Sequence, residues 1–143
     1  MIVKVKKVYY CEHCRKKGLS ASSLSKHEKY CTGNLNRKCR MCEEAGSNNS
    51  NYNYKELIEE FQKQVNIQKY ETEYGISYNV IRLPKANDIL DSVDGCPACA
   101  LTIIRHLDTQ YQSIDFNYSQ AVESFWSDIN QREHEREMSN YYC

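Results

Sequence analysis

Apolar residues recur at helical spacing in three stretches of the chain after residue 53. The first stretch predicts a helix whose buried face consists of Tyr54, Leu57, Ile58, Phe61 and Val65. The second begins at Pro97, which suits a first helical turn, and its predicted buried side is Ala100, Leu101, Ile103, Ile104 and Leu107. The third follows Asn117, a predicted cap, and its apolar face is Tyr118, Ala121, Val122, Phe125, Trp126 and Ile129.

Shorter signals lie between these helices. Residues 76–83 are predicted to be extended, because Tyr, Val and Ile favour strands and Pro84 disfavours a helical residue before it. Residues 86–93 predict a short helix that Gly95 ends. Residues 131–137 are wholly polar, so the last helix is expected to fray there, and residues 43–53 have the composition of a linker.

Composition narrows the class of protein. No apolar run approaches the roughly 18 residues of a spanning helix, and residues 1–8 are too short an apolar run for a secretory signal. The expected location is the cytoplasm, where thiols stay reduced. The eight cysteines in this chain of 143 residues are therefore predicted to bind metal rather than to form disulfides.

Charge is divided unevenly, although it sums to zero. Residues 1–42 carry 11 Lys and Arg against 2 Asp and Glu, whereas residues 43–143 carry 8 against 17. The chain is thus a basic head followed by an acidic body. Thiolates at metal sites would reduce the positive excess of the head.

Four residues of the basic head have the spacing C-x2-C-x12-H-x3-C of a zinc finger. The two cysteines suit a tight turn on a hairpin, and the last two ligands lie one helical turn apart on the same face. Together they can complete a tetrahedron, so the predicted ligands are Cys11, Cys14, His27 and Cys31. His13, inside the turn, is expected to be exposed.

This segment resembles the C2H2 zinc-finger family in a Cys-Cys-His-Cys form. Tyr9, Ser20 and Leu24 match the family, and the resemblance implies a ββα fold. One position departs from the family, because Gly18 replaces the usual aromatic residue. Leu19 is expected to take the place of that residue in the core.

Two further CxxC pairs supply a second complete set of ligands, namely Cys39, Cys42, Cys96 and Cys99. A metal ion held by both pairs would close a loop of 53 intervening residues, where a cross-link is expected to matter most. The alternative is a redox dithiol in the second pair, whose helix N-terminus would favour thiolate. No βαβ pattern surrounds that pair, and Cys143 is left without a role.

Together these signals predict a mainly α, small α+β fold. It comprises an N-terminal ββα zinc finger in residues 1–35 and, in residues 36–143, a helical body held together by a four-cysteine zinc site. Two structural Zn²⁺ ions per chain are expected. Neither would keep an open coordination position, and the candidate bases His106 and His134 lie in separate helical segments, so an enzyme is not expected.

A basic finger suggests binding to nucleic acid. By the geometry of the family, Ser20, Ser23 and Lys26 would face the bases, so little sequence specificity is expected. The candidate contacts are Lys16, Lys17, Ser20, Ser23, Lys26, Lys29, Arg37, Lys38 and Arg40. The alternative is that the basic stretch is a solvated face or docks on the acidic half of the chain.

The whole chain is similar to small zinc-finger proteins of tailed bacteriophages, on residues 10–14, 23–27, 36–42, 95–99 and 125–126. The resemblance implies a protein of the host cytoplasm whose partner is nucleic acid or a host protein. Neither a membrane nor a small-molecule substrate is an expected partner. The protein-binding alternative is an inhibitor or adaptor acting on a host enzyme, such as an antiphage defence complex. Its candidate surface is acidic, comprising Asp88, Asp91, Asp94, Glu123 and Asp128, and Tyr141 and Tyr142 are further candidate contacts.

Overall fold

The computed structural model describes residues 1–46, 52–107 and 114–141. These residues form six helices and two small antiparallel sheets. In chain order the elements are β1 Tyr9–Tyr10, β2 Lys17–Gly18, α1 Ala21–Tyr30, α2 Arg40–Glu44, α3 Tyr54–Gln64, β3 Asn66–Glu71, β4 Ser77–Arg82, α4 Ala86–Ser92, α5 Pro97–His106 and α6 Tyr118–Tyr141. The prediction of a mostly helical, small α+β chain is confirmed. Within the described ranges, no helix combines the length and apolar character needed to cross a membrane.

The N-terminal segment has the order strand, strand, helix. Strands β1 and β2 pair with Tyr9 opposite Gly18. Helix α1 begins after Ser20, whose hydroxyl oxygen accepts a hydrogen bond from the backbone N–H of Ser23 at 3.4 Å. Its small core contains Leu24 and two of the cysteines, Cys11 and Cys31.

Leu19 does not replace the missing aromatic residue of this core. Its side chain is 67% exposed, so that expectation is wrong. A Cβ atom added to Gly18 would lie 3.6 Å from Leu24 Cδ1, which shows that Gly18 itself faces the core. With so little apolar material present, this segment cannot stabilise itself by burial alone.

The body is built around α5. Helices α3, α4 and α6 each pack against α5. Ile89 and Val93 come from the α4 side of the core, and Ala100 and Ile103 come from α5. The four side chains are fully buried, and Phe61 of α3 packs in the same core. The helices predicted from apolar spacing are therefore present, with Pro97 in the first turn of α5 as expected.

One strand was not predicted. The extended segment expected in residues 76–83 is β4, but its partner β3 follows α3 almost directly. Strand β3, with the sequence NIQKYE, has few apolar residues and no long run of them, which explains why its pattern is weak. The hairpin turns at Gly75, whose φ is +74°, a value that glycine adopts without strain.

Helix α6 differs from its prediction in two ways. Asn117 caps it as expected, accepting a hydrogen bond from the N–H of Gln120 at 3.1 Å. Its apolar face is only half-buried, however. Among the described helices, α5 is the only one against which α6 packs extensively. Residues 131–137 remain helical, supported by a hydrogen bond of 3.1 Å between Gln131 and Glu135, one turn apart.

The N-terminal segment is joined to the body at the C-terminal end of α5. Arg105 donates a hydrogen bond to the hydroxyl oxygen of Thr32. The ring of His106 lies between two carbonyl oxygens, at 2.7 Å from that of Thr102 and 3.1 Å from that of Gly33. These contacts use the residues that follow α1, so they leave the outer side of α1 exposed.

Candidate metal centres

The eight predicted ligands come together in two groups of four. In each group the ligand atoms all lie within 4.8 Å of one another. The groups are Cys11, Cys14, His27 and Cys31, and Cys39, Cys42, Cys96 and Cys99. Both groups can hold a metal ion, and their thiolate and imidazole donors are those that zinc prefers.

The first group, which we call the finger cluster, is held at the ends of β1, β2 and α1. Cys11 directly follows β1, Cys14 lies on the turn before β2, and His27 and Cys31 occupy the last turn and cap of α1. The turn is closed by a hydrogen bond of 2.8 Å from the N–H of Cys11 to the carbonyl oxygen of Lys16. His13 is exposed, as expected, and does not belong to the cluster.

Distances within the finger cluster fit a tetrahedral ion. Zinc bonds of about 2.3 Å to sulfur and about 2.0 Å to nitrogen require about 3.8 Å between two sulfurs and about 3.5 Å between sulfur and nitrogen. The Sγ atoms of Cys11 and Cys31 are 3.9 Å apart, and Cys14 Sγ lies 3.2 Å from His27 Nε2. The second distance is slightly short, and a bound ion would separate the pair by a few tenths of an ångström.

The thiols of the finger cluster shift one another's pKa values. Burial acts to raise the pKa of Cys14, but hydrogen bonds from the Lys16 backbone, His27 and the neighbouring thiols outweigh it and lower the pKa to about 6. Burial and the same neighbouring thiols raise the pKa of Cys31 to about 11. Three thiols this close do not all ionise unless a cation compensates the charge, which is the role a metal ion fills.

The second cluster joins two helix beginnings. Cys39 is the N-cap residue of α2 and Cys96 is the N-cap residue of α5, while Cys42 and Cys99 lie within the first turns. The Sγ atoms of Cys39 and Cys96 are 3.5 Å apart, and those of Cys42 and Cys99 are 3.7 Å apart. These separations match a tetrahedral zinc site and far exceed the roughly 2.05 Å of a disulfide bond. All four side chains are buried.

Sharing one buried site separates the pKa values of these thiols. The pKa of Cys39 is lowered because Cys42, Cys96 and Cys99 can donate hydrogen bonds to it, and the pKa of Cys42 is raised by its own hydrogen bonds with Cys39, Cys96 and Cys99. Both of these sulfur–sulfur contacts join one CxxC pair to the other. This arrangement fits one metal site better than a separate redox dithiol in Cys96 and Cys99, because a dithiol needs no second pair.

Protein-family models, curated proteins and solved structures were compared with the chain, and none of them matches. The residues of the chain themselves indicate metal binding, because they have ligand spacing in the sequence and converge in space. Neither a family nor a phage origin follows from these comparisons.

Arg37 lies beside the four-cysteine cluster and not on the nucleic-acid surface where it was predicted. Its side chain is 6% exposed. Nε donates a hydrogen bond to the carbonyl oxygen of Tyr30 at 3.2 Å, and Nη1 donates to the Tyr54 hydroxyl at 3.4 Å. Burial acts to lower the pKa of Arg37, but nearby Tyr54, Cys39 and Cys99 raise it overall. The guanidinium is thus buried and hydrogen-bonded inside the protein, so it cannot contact phosphates.

Tyr54 connects Arg37 to the cluster. Its hydroxyl lies 3.2 Å from Cys99 Sγ, so it can donate to that sulfur while accepting from Arg37. Burial and the negative Cys99 sulfur both raise the pKa of Tyr54, which keeps the hydroxyl protonated as a donor. A zinc ion with four thiolates would carry a charge of about −2, and the hydrogen-bonded pair of Arg37 and Tyr54 would partly compensate it. The apolar spacing that placed Tyr54 in the core gave no sign of this role.

Replacing Tyr54 with phenylalanine is expected to weaken the second site without unfolding the protein. The change leaves Cys99 and Arg37 each without one hydrogen-bond partner, which should lower the free energy of unfolding by about 1–3 kcal/mol. Loss of a contact to a metal ligand should reduce zinc affinity by about 10–100-fold. Denaturant unfolding and competition with a chelator measure the two effects. Tyr70→Phe, on the exposed hairpin, is the matched control, and equal effects of both changes would contradict this role.

The remaining nucleic-acid candidates are all exposed, but they are not equivalent. Lys16 and Lys17 lie at the hairpin, and Ser23, Lys26 and Lys29 lie on α1. Ser20 is engaged as the helix cap, and Arg40 forms an exposed ion pair of 3.1 Å with Glu44. Lys38 is exposed at its side chain, while its N–H donates to the carbonyl oxygen of Lys29 at 2.9 Å.

Only three of the five acidic residues in the predicted surface line one common space. Asp91, Asp94 and Asp128 line the space between α4 and α6, whereas Asp88 and Glu123 are exposed on those helices without lining it. Tyr141 is 86% exposed. Tyr142, Cys143 and residues 47–51 of the predicted linker lie outside the described residues.

Proposed function

We propose that the protein is a zinc-stabilised, non-enzymatic module that binds nucleic acid through the exposed basic face of its finger, with little sequence preference. The observation that carries this proposal is the way in which the finger attaches to the body. The contacts to α5 come from Thr32 and Gly33, which follow α1 in the chain. The outer face of α1 and the β1–β2 turn therefore stay accessible. The likeness to small phage zinc-finger proteins adds a host-cytoplasmic setting to the proposal.

Charge supports binding to phosphates. Lys16, Lys17, Lys26 and Lys29 are exposed on the finger. Its two acids are Glu12, which is exposed, and Glu28, which is partly buried and accepts a hydrogen bond from the Glu12 N–H at 3.1 Å. Lysines on such a surface gain affinity by releasing counterions from the nucleic acid. This contribution does not depend on base sequence.

Few side chains on the outer face of α1 are suited to recognising particular bases. Of the three positions expected to face bases, Ser20 is used as a cap, which leaves Ser23 and Lys26. A serine hydroxyl bonds to more than one kind of base, and a lysine amine is a flexible point charge. Low sequence preference therefore fits the residues present.

A non-enzymatic role follows from the proposed coordination. Each cluster supplies four protein ligands, the number that a tetrahedral structural zinc ion takes. A zinc ion in such a site has no position left for water or substrate. The ions would then contribute folding energy and no chemistry.

Titration of a labelled oligonucleotide followed by fluorescence anisotropy tests the proposal. Binding should weaken as salt increases, and the triple variant Lys16→Ala, Lys17→Ala, Lys26→Ala should reduce the slope of log affinity against log salt by about 2–3 units. The matched control replaces three exposed lysines of the body, Lys55, Lys63 and Lys85, with alanine, and it should bind like the unmodified protein. Binding that is absent at low salt, or lost equally in the control, would rule the proposal out.

A further inference from the structure

Helices α4 and α6 border an apolar groove. Both pack on α5 but make no comparable contact with each other, which leaves a trough between them. Its floor consists of partly buried apolar side chains, namely Leu90, Phe116, Phe125 and Ile129. Two adjoining cavities of about 640 and 720 Å³ share residues Asp94, Phe125 and Ile129, so the trough is continuous.

The rim of this groove is negatively charged. Asp91, Asp94, Asp115 and Asp128 all line it and are exposed, and Asp94 also accepts a hydrogen bond of 2.7 Å from the Tyr52 hydroxyl. Arg132 is the single positive residue along the first of the two cavities, among the residues described. A segment that fills the groove should therefore carry apolar side chains for the floor and positive charges for the rim.

The chain itself contains a segment with this chemistry. Residues 1–8, which we call the N-terminal arm, have the sequence MIVKVKKV. Three lysines are interspersed with apolar residues, and Met1, Ile2, Val3 and Val5 are 80–117% exposed. Such exposure means that the arm does not fill the groove of its own chain in this structure. Burial of such exposed apolar side chains against another surface lowers the free energy of the system.

We propose that the N-terminal arm of one copy of the chain binds in the α4–α6 groove of a second copy. The lysines would face the aspartates of the rim, and the apolar residues would cover Leu90 and Phe125. The dimensions agree, since eight extended residues reach about 26 Å and the groove follows residues 115–132, about 25 Å of mostly helical chain.

The contact is small, so the association is weak. An eight-residue arm falls at the low end of interface sizes, below about 1,200 Å² of total buried surface, and a dissociation constant in the micromolar range or above is expected. Exchange of arms between two copies would close a two-fold dimer with two such contacts.

Sedimentation equilibrium of the full chain, zinc-loaded and freed of nucleic acid by nuclease, tests the proposal through a charge exchange. The unmodified protein should dimerise as its concentration rises. The arm variant Lys4→Glu, Lys6→Glu, Lys7→Glu and the groove variant Asp91→Lys, Asp115→Lys, Asp128→Lys should each raise the dissociation constant at least about tenfold. An equimolar mixture of the two should associate again, because each variant then meets the opposite charge.

All the replaced residues are exposed, so both variants are expected to fold, which their zinc content and circular dichroism would verify. The matched control Glu56→Lys, Glu59→Lys, Glu60→Lys changes three exposed acids on α3 and should leave dimerisation intact. A monomer at all concentrations would overturn the proposal, and so would dimerisation that survives the arm variant or a variant mixture that stays monomeric. Loss of nucleic-acid binding in the arm variant alone, with no change in mass, would instead assign the arm to the nucleic-acid surface and overturn the proposal.

Discussion

Replacement of Cys96 with serine is expected to lower the zinc content from two ions per chain to one and to unfold the helical body. Cys39 and Cys42 are separated from Cys96 and Cys99 by 53 residues, and the ion between them would close this loop. Structural zinc contributes about 10–16 kcal/mol in small peptides, which is comparable to the whole stability of a domain, about 5–15 kcal/mol. Metal analysis and circular dichroism measure the two losses.

Two control variants separate this effect from a general loss of thiols. Cys14→Ser should also remove one zinc ion, but the loss should disorder the finger and leave most of the helical signal of α3, α4 and α5. Cys143→Ser changes the one cysteine outside both predicted ligand sets and should leave two ions bound. Retention of two zinc ions by Cys96→Ser, with unchanged unfolding, would contradict the four-cysteine site.

Replacement of Arg37 with alanine is expected to have the second largest effect. The change removes a buried positive charge next to the thiolates and takes the guanidinium donor from the Tyr30 carbonyl and from the Tyr54 hydroxyl, which keeps only its contact to Cys99 Sγ. Removing one member of a buried charge group costs about 3–5 kcal/mol. Denaturant unfolding of the zinc-loaded protein measures the cost.

Arg37→Lys should recover only part of this loss, because one amine cannot reach both oxygens in the way that the guanidinium fork does. Lys38→Ala is the matched control, since its side chain is exposed, and it should change stability by no more than about 0.5 kcal/mol. A variant Arg37→Ala as stable as Lys38→Ala would show that the guanidinium does not compensate the cluster.

The ligands of both clusters could be identified from the sequence because metal coordination imposes short, regular spacings. A CxxC pair or a His and Cys four residues apart has this spacing in whatever fold surrounds it. Helices α3, α5 and α6 were predictable for a similar reason, since the apolar residues on one face of a helix recur at every turn, although that face of α6 is only half-buried. Strand β3 was missed because it lies in an exposed hairpin, where no core imposes an alternating pattern on its residues.

The role of Arg37 could not be read from its neighbourhood in the chain. It lies in a basic stretch, and nothing local distinguishes it from Lys38, which is exposed. Its burial depends on α3, which brings Tyr54 over the cluster from 17 residues away. The expectation for Leu19 failed in a comparable way, because the hairpin register, set by Tyr9 opposite Gly18, directs the glycine to the core.

X-ray absorption at the zinc edge of the zinc-loaded protein tests the central claim most directly, because it reports the atoms bound to the metal. The two clusters together offer seven sulfurs and one nitrogen to two ions. We expect four-coordinate zinc with sulfur at about 2.3 Å as the dominant neighbour and a minor nitrogen contribution at about 2.0 Å. A first shell rich in oxygen, or coordination by fewer than three sulfurs per ion on average, would contradict the two closed sites.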